Sequence, residues 1–366
     1  MLLEKKYQEK LIELGKLIVN QKKSKIIVEP YIKEKGCWFG GGKIRSTGDG
    51  KIYLTGRYRN TGDSRYGNLI GERGAELAVF ISEDSGKTFK KIRYWNKKDL
   101  TCNGKEVISI EGSSINFEKD KIEIYFSTEK KILYPEIVRK YQKQDTGIWE
   151  IDVLTGNNIE EIQSKNIKNV LFSQYPVNLH IKDPTVFQIK NKTYMMFCEH
   201  PFSWTCSYSG LAVKEKDNFN LISRDILYRG YTWDVAVTRI TERLPVPKLG
   251  VFKNLPDISL YFYDGAECVR EHHKSEKGVK IPRGYSCEEI GGFGYGFDGK
   301  MPPEIYRLSD LFPLFYSSEG TGSSRYVSAI YDGEKIYATW QKSMEDFSQP
   351  LVMNIVDKKE IEDILK

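Results

Sequence analysis

KDPTVFQIKNKTYMMFCEHP, residues 182–201, decides the fold. Val186, Gln188 and their neighbours alternate as a strand, Lys190-Asn191 make a polar turn, and Thr193–His200 form a second, aromatic strand. The same form recurs in EGSSINFEKDKIEIYFSTEK (111–130), GGGKIRSTGDGKIYLTGRYRN (40–60) and SRYVSAIYDGEKIYATWQKS (324–343). A looser copy runs from WDVAVTRI (233–240) to KLGVFKNLPDISLYFYDGAE (248–267). Lys51, Lys121, Lys192 and Lys335 open the second strand at intervals of 70, 71 and 143, and Asp257 fills the double gap. A fixed period of β units is the signature of a propeller or solenoid.

Each unit continues with two further strand patterns, as in AELAVFIS (75–82) and KKIRYW (90–95) of the first. Five units of four strands predict an all-β fold, a five-bladed β-propeller, with blades near 37–95, 108–173, 181–229, 231–316 and 322–366. The last copy lacks an outer strand, and SKIIVEPYI within 24–32 is expected to supply it. An N-terminal strand would then close the ring and remove exposed sheet edges. Residues 1–23 read as an amphipathic helix with Leu3, Leu11, Leu14, Leu17 and Ile18 on one side, and 24–366 as one propeller domain. Between the outer strands of blade one, Ser82-Glu83-Asp84-Ser85-Gly86-Lys87-Thr88-Phe89 resembles the Asp-box, S-x-D-x-G-x-T-W/F, of sialidase-type propellers. In such a turn Asp and Ser bond the backbone and Gly supplies positive φ, so the resemblance concerns fold and not chemistry.

Composition narrows the function. The 366 residues are 40% hydrophobic and 29% charged, and their 13% aromatic content suits β structure. A net charge of +6 over this length is too dispersed for a nucleic-acid binder. No run approaches the roughly 18 apolar residues that span a bilayer, and the N-terminus has no apolar core of signal-peptide length. Cys37, Cys102, Cys198, Cys206, Cys268 and Cys287 form no CxxC pair. They are expected to be reduced thiols in a cytoplasmic protein. No cofactor is expected, and an axial cation such as calcium would find no dedicated ligand motif; no metal site is assigned.

In a propeller blade the innermost strand starts, and the second strand ends, on one face of the disc. The connectors of the opposite face are short and polar: STGDGK, EKDK, IKNK, NLPD and YDGEK. The first face receives Trp38, Glu111, Asp183, Trp233, Asp234 and Arg325 from strand starts. From strand ends it receives Arg57, Arg59, Glu129, Glu199, His200, Asp264, Glu267 and Gln341. So many ionisable groups about one axis point to a binding or catalytic pocket. The polar segment from Gly56 to Glu76, with Asp63, Arg65, Glu72 and Arg73, is expected to wall that pocket and favour attack on chain ends.

The DP and EG elements quoted above resemble the "DP-strand-turn-YYLfyS" and "EGP-strand-turn-YYLfyS" elements of the five-bladed propeller glycosidases. That superfamily contains glycoside hydrolase families thirty-two, forty-three, sixty-two and one hundred and thirty. The resemblance implies that Asp183 and Glu111 project into the axial pocket, the Glu commonly as general acid. Two departures stand out: Ser113 replaces the Pro of EGP, and Cys37-Trp38-Phe39 occupies the place of the first-blade Asp. Glycoside hydrolysis needs one carboxylic acid and one carboxylate. The expectation is Glu111 as general acid, Asp183 orienting substrate or tuning that acid, and Asp234 as base or nucleophile, with Glu199 and Glu267 in reserve. Each of these is equally readable as a buried carboxylate paired with an Arg. Trp38 and Trp233 would stack on a sugar or fill the channel, and Arg57, Arg59, His200, Asp264 and Arg325 would contact substrate.

The expected activity is an exo-acting hydrolase of short oligosaccharides, including furanosides. A glycoside phosphorylase on the same fold would use Arg57, Arg59 and Arg325 for phosphate. A sialidase-like enzyme would need six blades, and a non-catalytic sugar-binding propeller would leave the carboxylates without work. GGFGYGFDGK (291–300) lacks the Lys-Ser/Thr ending of a phosphate loop, and His272-His273 has no second ligand pair at zinc spacing.

Overall fold

The computed structural model describes residues 2–60, 73–101, 104–118, 121–268 and 289–366. Their strands form five antiparallel sheets arranged as the five blades of a propeller. Blade one comprises β2 (Trp38–Gly40) and β3 (Ile44–Ser46), which both pair with β4 (Ile52–Arg59), then β5 (Glu76–Ser82) and β6 (Lys90–Asn96). Blade two is β7 (Val107–Glu118), β8 (Lys121–Lys130), β9 (Ile148–Gly156) and β10 (Lys168–Leu171). Blade three is β11 (His180–Ile189), β12 (Lys192–His200), β13 (Tyr208–Glu215) and β14 (Asn218–Ser223). Blade four is β15 (Val237–Pro245), β16 (Ile258–Ala266), β17 (Ile290–Phe297) and β18 (Tyr306–Arg307). Blade five is β19 (Ser324–Tyr331), β20 (Lys335–Lys342), β21 (Leu351–Asp357) and, as its outer strand, β1 (Lys25–Val28). β1 pairs antiparallel with β21, and Trp38 of blade one bridges Gln349 of blade five, so both ends of the chain close the ring.

Apolar side chains of facing sheets hold neighbouring blades together. Leu77, Trp95 and Ile110 pack between blades one and two, and Ile151, Val186 and Phe197 between two and three. Tyr194, Met196, Trp233 and Tyr261 do the same between three and four. Each such side chain stabilises by about 1.5–3 kcal/mol on full burial. Trp233 belongs to this core: it is fully buried and stacks on Tyr263 at 5.6 Å, which leaves it no face for a sugar.

Helix α1 (Lys5–Ile18) buries Leu11, Leu14 and Ile18 against blades four and five, beside a C-terminal helix α2 (Lys358–Leu365). Gly15 permits this approach, since a Cβ there would lie 2.5 Å from the Phe293 ring. The Gly-rich stretch after Glu289 is β17, whose Gly291 and Gly292 lie against the Phe315 and Tyr263 rings. At the 82–88 turn Asp84 Oδ1 accepts from Ser82 Oγ and from the Lys87 and Thr88 amides, and Gly86 has φ +81°.

Among the described residues no helix is long and apolar enough to cross a membrane. Cys37, Cys198 and Cys206 are free thiols, but Cys268 is disulfide-bonded. That corrects the expectation of six reduced cysteines and removes the thiol argument for a reducing compartment. His272, His273, Asp63, Arg65 and Glu72 lie outside the described residues.

Candidate functional site at the propeller axis

All five inner strands are interrupted at one level. The register shifts between Ile110 and Ser113 in β7, between Lys182 and Thr185 in β11, between Ile240 and Glu242 in β15 and between Arg325 and Ser328 in β19. In blade one the break is the Gly41–Lys43 gap between β2 and β3. Bulges re-aim side chains, and these turn the neighbouring residues toward the axis. Asp183, Tyr326 and Gly41 sit at φ +59°, +57° and +70°. A tyrosine in the left-handed region is strained, so the surrounding contacts must hold it there. Gly112 has no room for a side chain, because a Cβ would fall 2.5 Å from Asp183 Oδ1.

Arg239 of β15 is the hub. Its Nη1 donates to Asp183 Oδ2 at 3.1 Å and to the Tyr326 hydroxyl at 3.0 Å, and its Nη2 meets Asp264 Oδ2 at 2.7 Å and Glu289 Oε1 at 2.9 Å. The guanidinium also lies 3.9 Å from the Tyr326 ring centroid. Asp183 Oδ1 accepts the Gly112 amide at 3.0 Å, and Lys182 Nζ stands 3.7 Å from its Oδ2. Asp264 also accepts the Tyr326 amide, and Glu289 pairs with Arg325. On the other side of the well Arg57 holds Glu111 Oε2 through Nε at 3.0 Å and Nη2 at 2.7 Å. Below Asp183 and Arg239, a space about the size of one water is lined by Gly41, Lys43, Thr185 and Tyr326.

These partners push the carboxyls apart. Burial alone would raise Glu111, but Arg57, with Lys182 and Arg59 farther off, outweighs it and holds the group at about 2. Glu289 is likewise kept well below the usual range, against burial, by Arg239 and Arg325. For Asp264 burial prevails over Arg239, Glu289 adds its repulsion, and the carboxyl stands at about 6. The Glu111 and Glu289 side chains remain 15% and 17% exposed, whereas Asp264 is fully buried. The two that open to the well are therefore the two held ionised.

Of the residues expected at the site, the structure brings together Glu111, Asp183, Asp264, Arg57, Arg59, Arg325, Gln341 and Trp38. Trp38 is surrounded by guanidiniums, with Arg59, Arg325 and Arg57 Cζ at 4.6, 4.7 and 5.6 Å from its ring. Asp234 is elsewhere: its Oδ2 accepts from Arg307 Nε at 2.8 Å and from the Tyr263 hydroxyl at 3.2 Å, next to Trp233 in the core between blades three and four. Glu199 pairs with Arg224 and approaches Asn178, and burial lifts it to about 7. Glu129 takes Arg73 at 2.9 Å and the Gly147 amide. His200 donates through Nδ1 to the Cys206 carbonyl beside Trp204, and burial and Lys182 keep it neutral. Glu267 is half-buried just past β16. Sequence reasoning missed Arg239, Glu289, Lys182 and Tyr326. Among the described residues no group of His, Cys, Asp and Glu is disposed to hold a metal.

No protein-family model matches the chain, and no curated protein sequence matches it. Solved structures do share its fold. An α-L-arabinofuranosidase from Lactobacillus brevis is 13% identical with a TM-score of 0.54, over 90% of this chain and 92% of that one. A β-1,2-mannobiose phosphorylase from Listeria innocua, solved with β-1,2-mannobiose, is 12% identical with a TM-score of 0.53, over 94% and 93%. A protein described as a glycoside hydrolase is 12% identical with a TM-score of 0.61, over 97% and 96%. The chain has the five-bladed propeller fold of these carbohydrate-active proteins.

Proposed function

We propose that the axial well cleaves glycosidic bonds by hydrolysis, acting on the ends of short oligosaccharides. The observation that carries this reading is the meeting of Glu111, Asp183, Asp264 and Glu289, from three blades, with Glu111 and Glu289 held low and Asp264 raised. Paired carboxyls whose environments separate their pKa values are what acid and base roles require. A group held at about 2 has no proton to give at neutral pH, so Glu111 suits the base or nucleophile and not the acid. Asp264 and Glu289 share Arg239 and titrate as a pair. Asp264, raised to about 6, is the carboxyl of the pair that can hold a proton near neutrality and suits the acid, while Glu289 stays ionised and opens to the well. Asp183 fixes Arg239 and the Gly112 amide beside Glu111 and is a positioning residue.

Arg73 pairs with Glu129 of blade two, and the preference for chain ends rests on the length of the polar stretch between β4 and β5 in the sequence. Furanosides come first among substrates because an arabinofuranosidase shares the fold. The test is release of nitrophenol from a panel of nitrophenyl pyranosides and furanosides, with and without phosphate, by the parent protein and Asp183→Asn. Turnover lost in Asp183→Asn with binding retained is the expected result. Failure to cleave any glycoside, or unchanged turnover in the variant, overturns the reading.

A further inference from the structure

We propose that Lys182 contacts the substrate, its ammonium donating to a hydroxyl oxygen of the sugar that faces Glu111. This deepens the reading of the well as a glycoside-cleaving site and rests on it for which sugar is bound. Lys182 pairs with Cys198 immediately before the bulge in β11. Side chains alternate along a regular strand, but Asp183, at φ +59°, breaks that alternation. The two consecutive side chains therefore meet on one side, with Lys182 Nζ 3.7 Å from Asp183 Oδ2. The ammonium is also near enough to Glu111 and Glu289, the two acids open to the well, to help hold both ionised.

Charge is thus balanced at Lys182, but its hydrogen bonding is not. A separation of 3.7 Å exceeds the reach of an N–H···O bond, and Asp183 Oδ2 already takes Arg239 Nη1 at 3.1 Å. Among the described residues no other acceptor pairs with Nζ, which carries three donors. The stem is enclosed, the residue being 9% exposed, and Nζ lies 5.6 Å from the Trp149 ring and 5.8 Å from the Trp204 ring. The nitrogen itself is not sealed off, and the side chain keeps 11% of its surface open. Trp204 is held in place at a backbone cost. It sits at φ +54°, a strained conformation for a tryptophan, with its ring 4.3 Å from His180 and 4.5 Å from His200. Both imidazoles are kept neutral by burial and by Lys182, so they add no competing charge. Water meets such donors in an open well, and a sugar hydroxyl replaces it with the same acceptor at a fixed position. Since the counter-charges are already present, the missing partner needs no charge of its own, and a neutral hydroxyl suffices.

Titration calorimetry on the whole protein tests the contact without turnover. The probes are the methyl glycosides of arabinofuranose, xylose, glucose, galactose and mannose, followed by the monodeoxy forms of the one that binds most tightly. At least one deoxy form is expected to bind the parent about tenfold more weakly than the full glycoside, the scale of a hydrogen bond to a charged group. Lys182→Met should weaken the full glycoside by a similar factor. It should bind that same deoxy form as tightly as the full glycoside, because the deleted hydroxyl then has no partner to lose. Lys182→Arg, which keeps a cation with donors, should recover part of the loss. A lysine with a purely structural role would lower stability when replaced yet leave the deoxy penalty intact, and that result overturns the inference. A parent protein that binds every deoxy form as tightly as the full glycoside overturns it too, and this comparison decides even where no variant folds. Glycosides bound through Lys182 but never cleaved would sink the catalytic reading alone. Cleavage with an undiminished deoxy penalty in Lys182→Met would sink this one alone, and failure to bind any glycoside would sink both.

Discussion

Replacing Arg239 with methionine tests the axial arrangement at its hub. The residue is 2% exposed, and its guanidinium meets Asp183 at 3.1 Å, Asp264 at 2.7 Å and Glu289 at 2.9 Å. Methionine keeps much of the stem but offers the acids nothing. Removing one partner from a buried ion pair costs about 3–5 kcal/mol, and three such losses would approach 12 if they added. They should not add, because the three acids share one network and each keeps another partner. Asp183 retains the Gly112 amide and Lys182, Asp264 the Tyr326 amide, and Glu289 its Arg325. The expected loss at pH 7.5 is therefore about 4 kcal/mol, close to that of a single broken pair. The pH dependence is diagnostic. Carboxyls stripped of Arg239 will have folded pKa values above their unfolded ones, so the folded variant binds more protons than its unfolded chain. Its deficit against the parent must then shrink as pH falls from 7.5 toward 5. Urea unfolding followed by tryptophan fluorescence at both pH values measures this. A loss below 1 kcal/mol, or the same loss at both, would refute the hub.

Other outcomes follow from the same geometry. kcat/KM should fall as pH rises through about 6, where the Asp264–Glu289 pair loses its proton, and a profile flat from pH 5 to 8 would remove that pair from the chemistry. Stability should carry two opposed carboxylate contributions, measurable by thermal melts across pH. Asp264, raised when folded, stabilises below its unfolded value and loses that contribution as pH climbs from about 4 to 6. Glu111, depressed when folded, stabilises above about 4 and loses that contribution as pH drops toward 2. Gly112→Ala should push on Asp183, with a Cβ 2.5 Å from its Oδ1; we expect about 1–3 kcal/mol of destabilisation and a fall in kcat much larger than any change in fold, read by steady-state kinetics and circular dichroism. Asp234→Asn should lower the melting temperature by weakening the Arg307 pair yet leave kcat within a few-fold, the reverse of Asp183→Asn; a dead but fully stable Asp234→Asn would restore it to the chemistry.

The spacing of 70 and 71 residues made the blades legible because strand pairing imposes it locally. β4, β8, β12, β16 and β20 open within one residue of the positions read from Lys51, Lys121, Lys192, Asp257 and Lys335. Blade four shows where that logic fails. There the pattern WDVAVTRI places the inner strand at Trp233 and Asp234, but β15 begins at Val237, and the longer stretch before β16 obscures the match. Counted from the start of the second strand, Arg239 opposite Asp264 takes the position of Lys182 opposite Cys198 and of Arg325 opposite Gln341, and it is the centre of the site. The alternation in VTRITERL carried that signal, since Thr238 and Ile240 face the core and Arg239 does not. Glu289 precedes β17, where no second strand or tight turn marks a position on the axis.

Placing acids on one face is a matter of backbone period, whereas giving them different protonation states is a matter of which cation each one reaches. Glu111 and Asp264 look alike in sequence, each at a strand position facing the axis. Arg57 approaches Glu111 through two nitrogens and among the described residues pairs with no other acid, so it overcomes burial. Arg239 is divided among Asp183, Asp264 and Glu289, and burial therefore prevails at the most enclosed of the three. The distinction between a base and an acid in this well thus arises from how many carboxylates share a guanidinium. That number depends on bulges in four strands drawn from separate parts of the chain, which no spacing along one strand records.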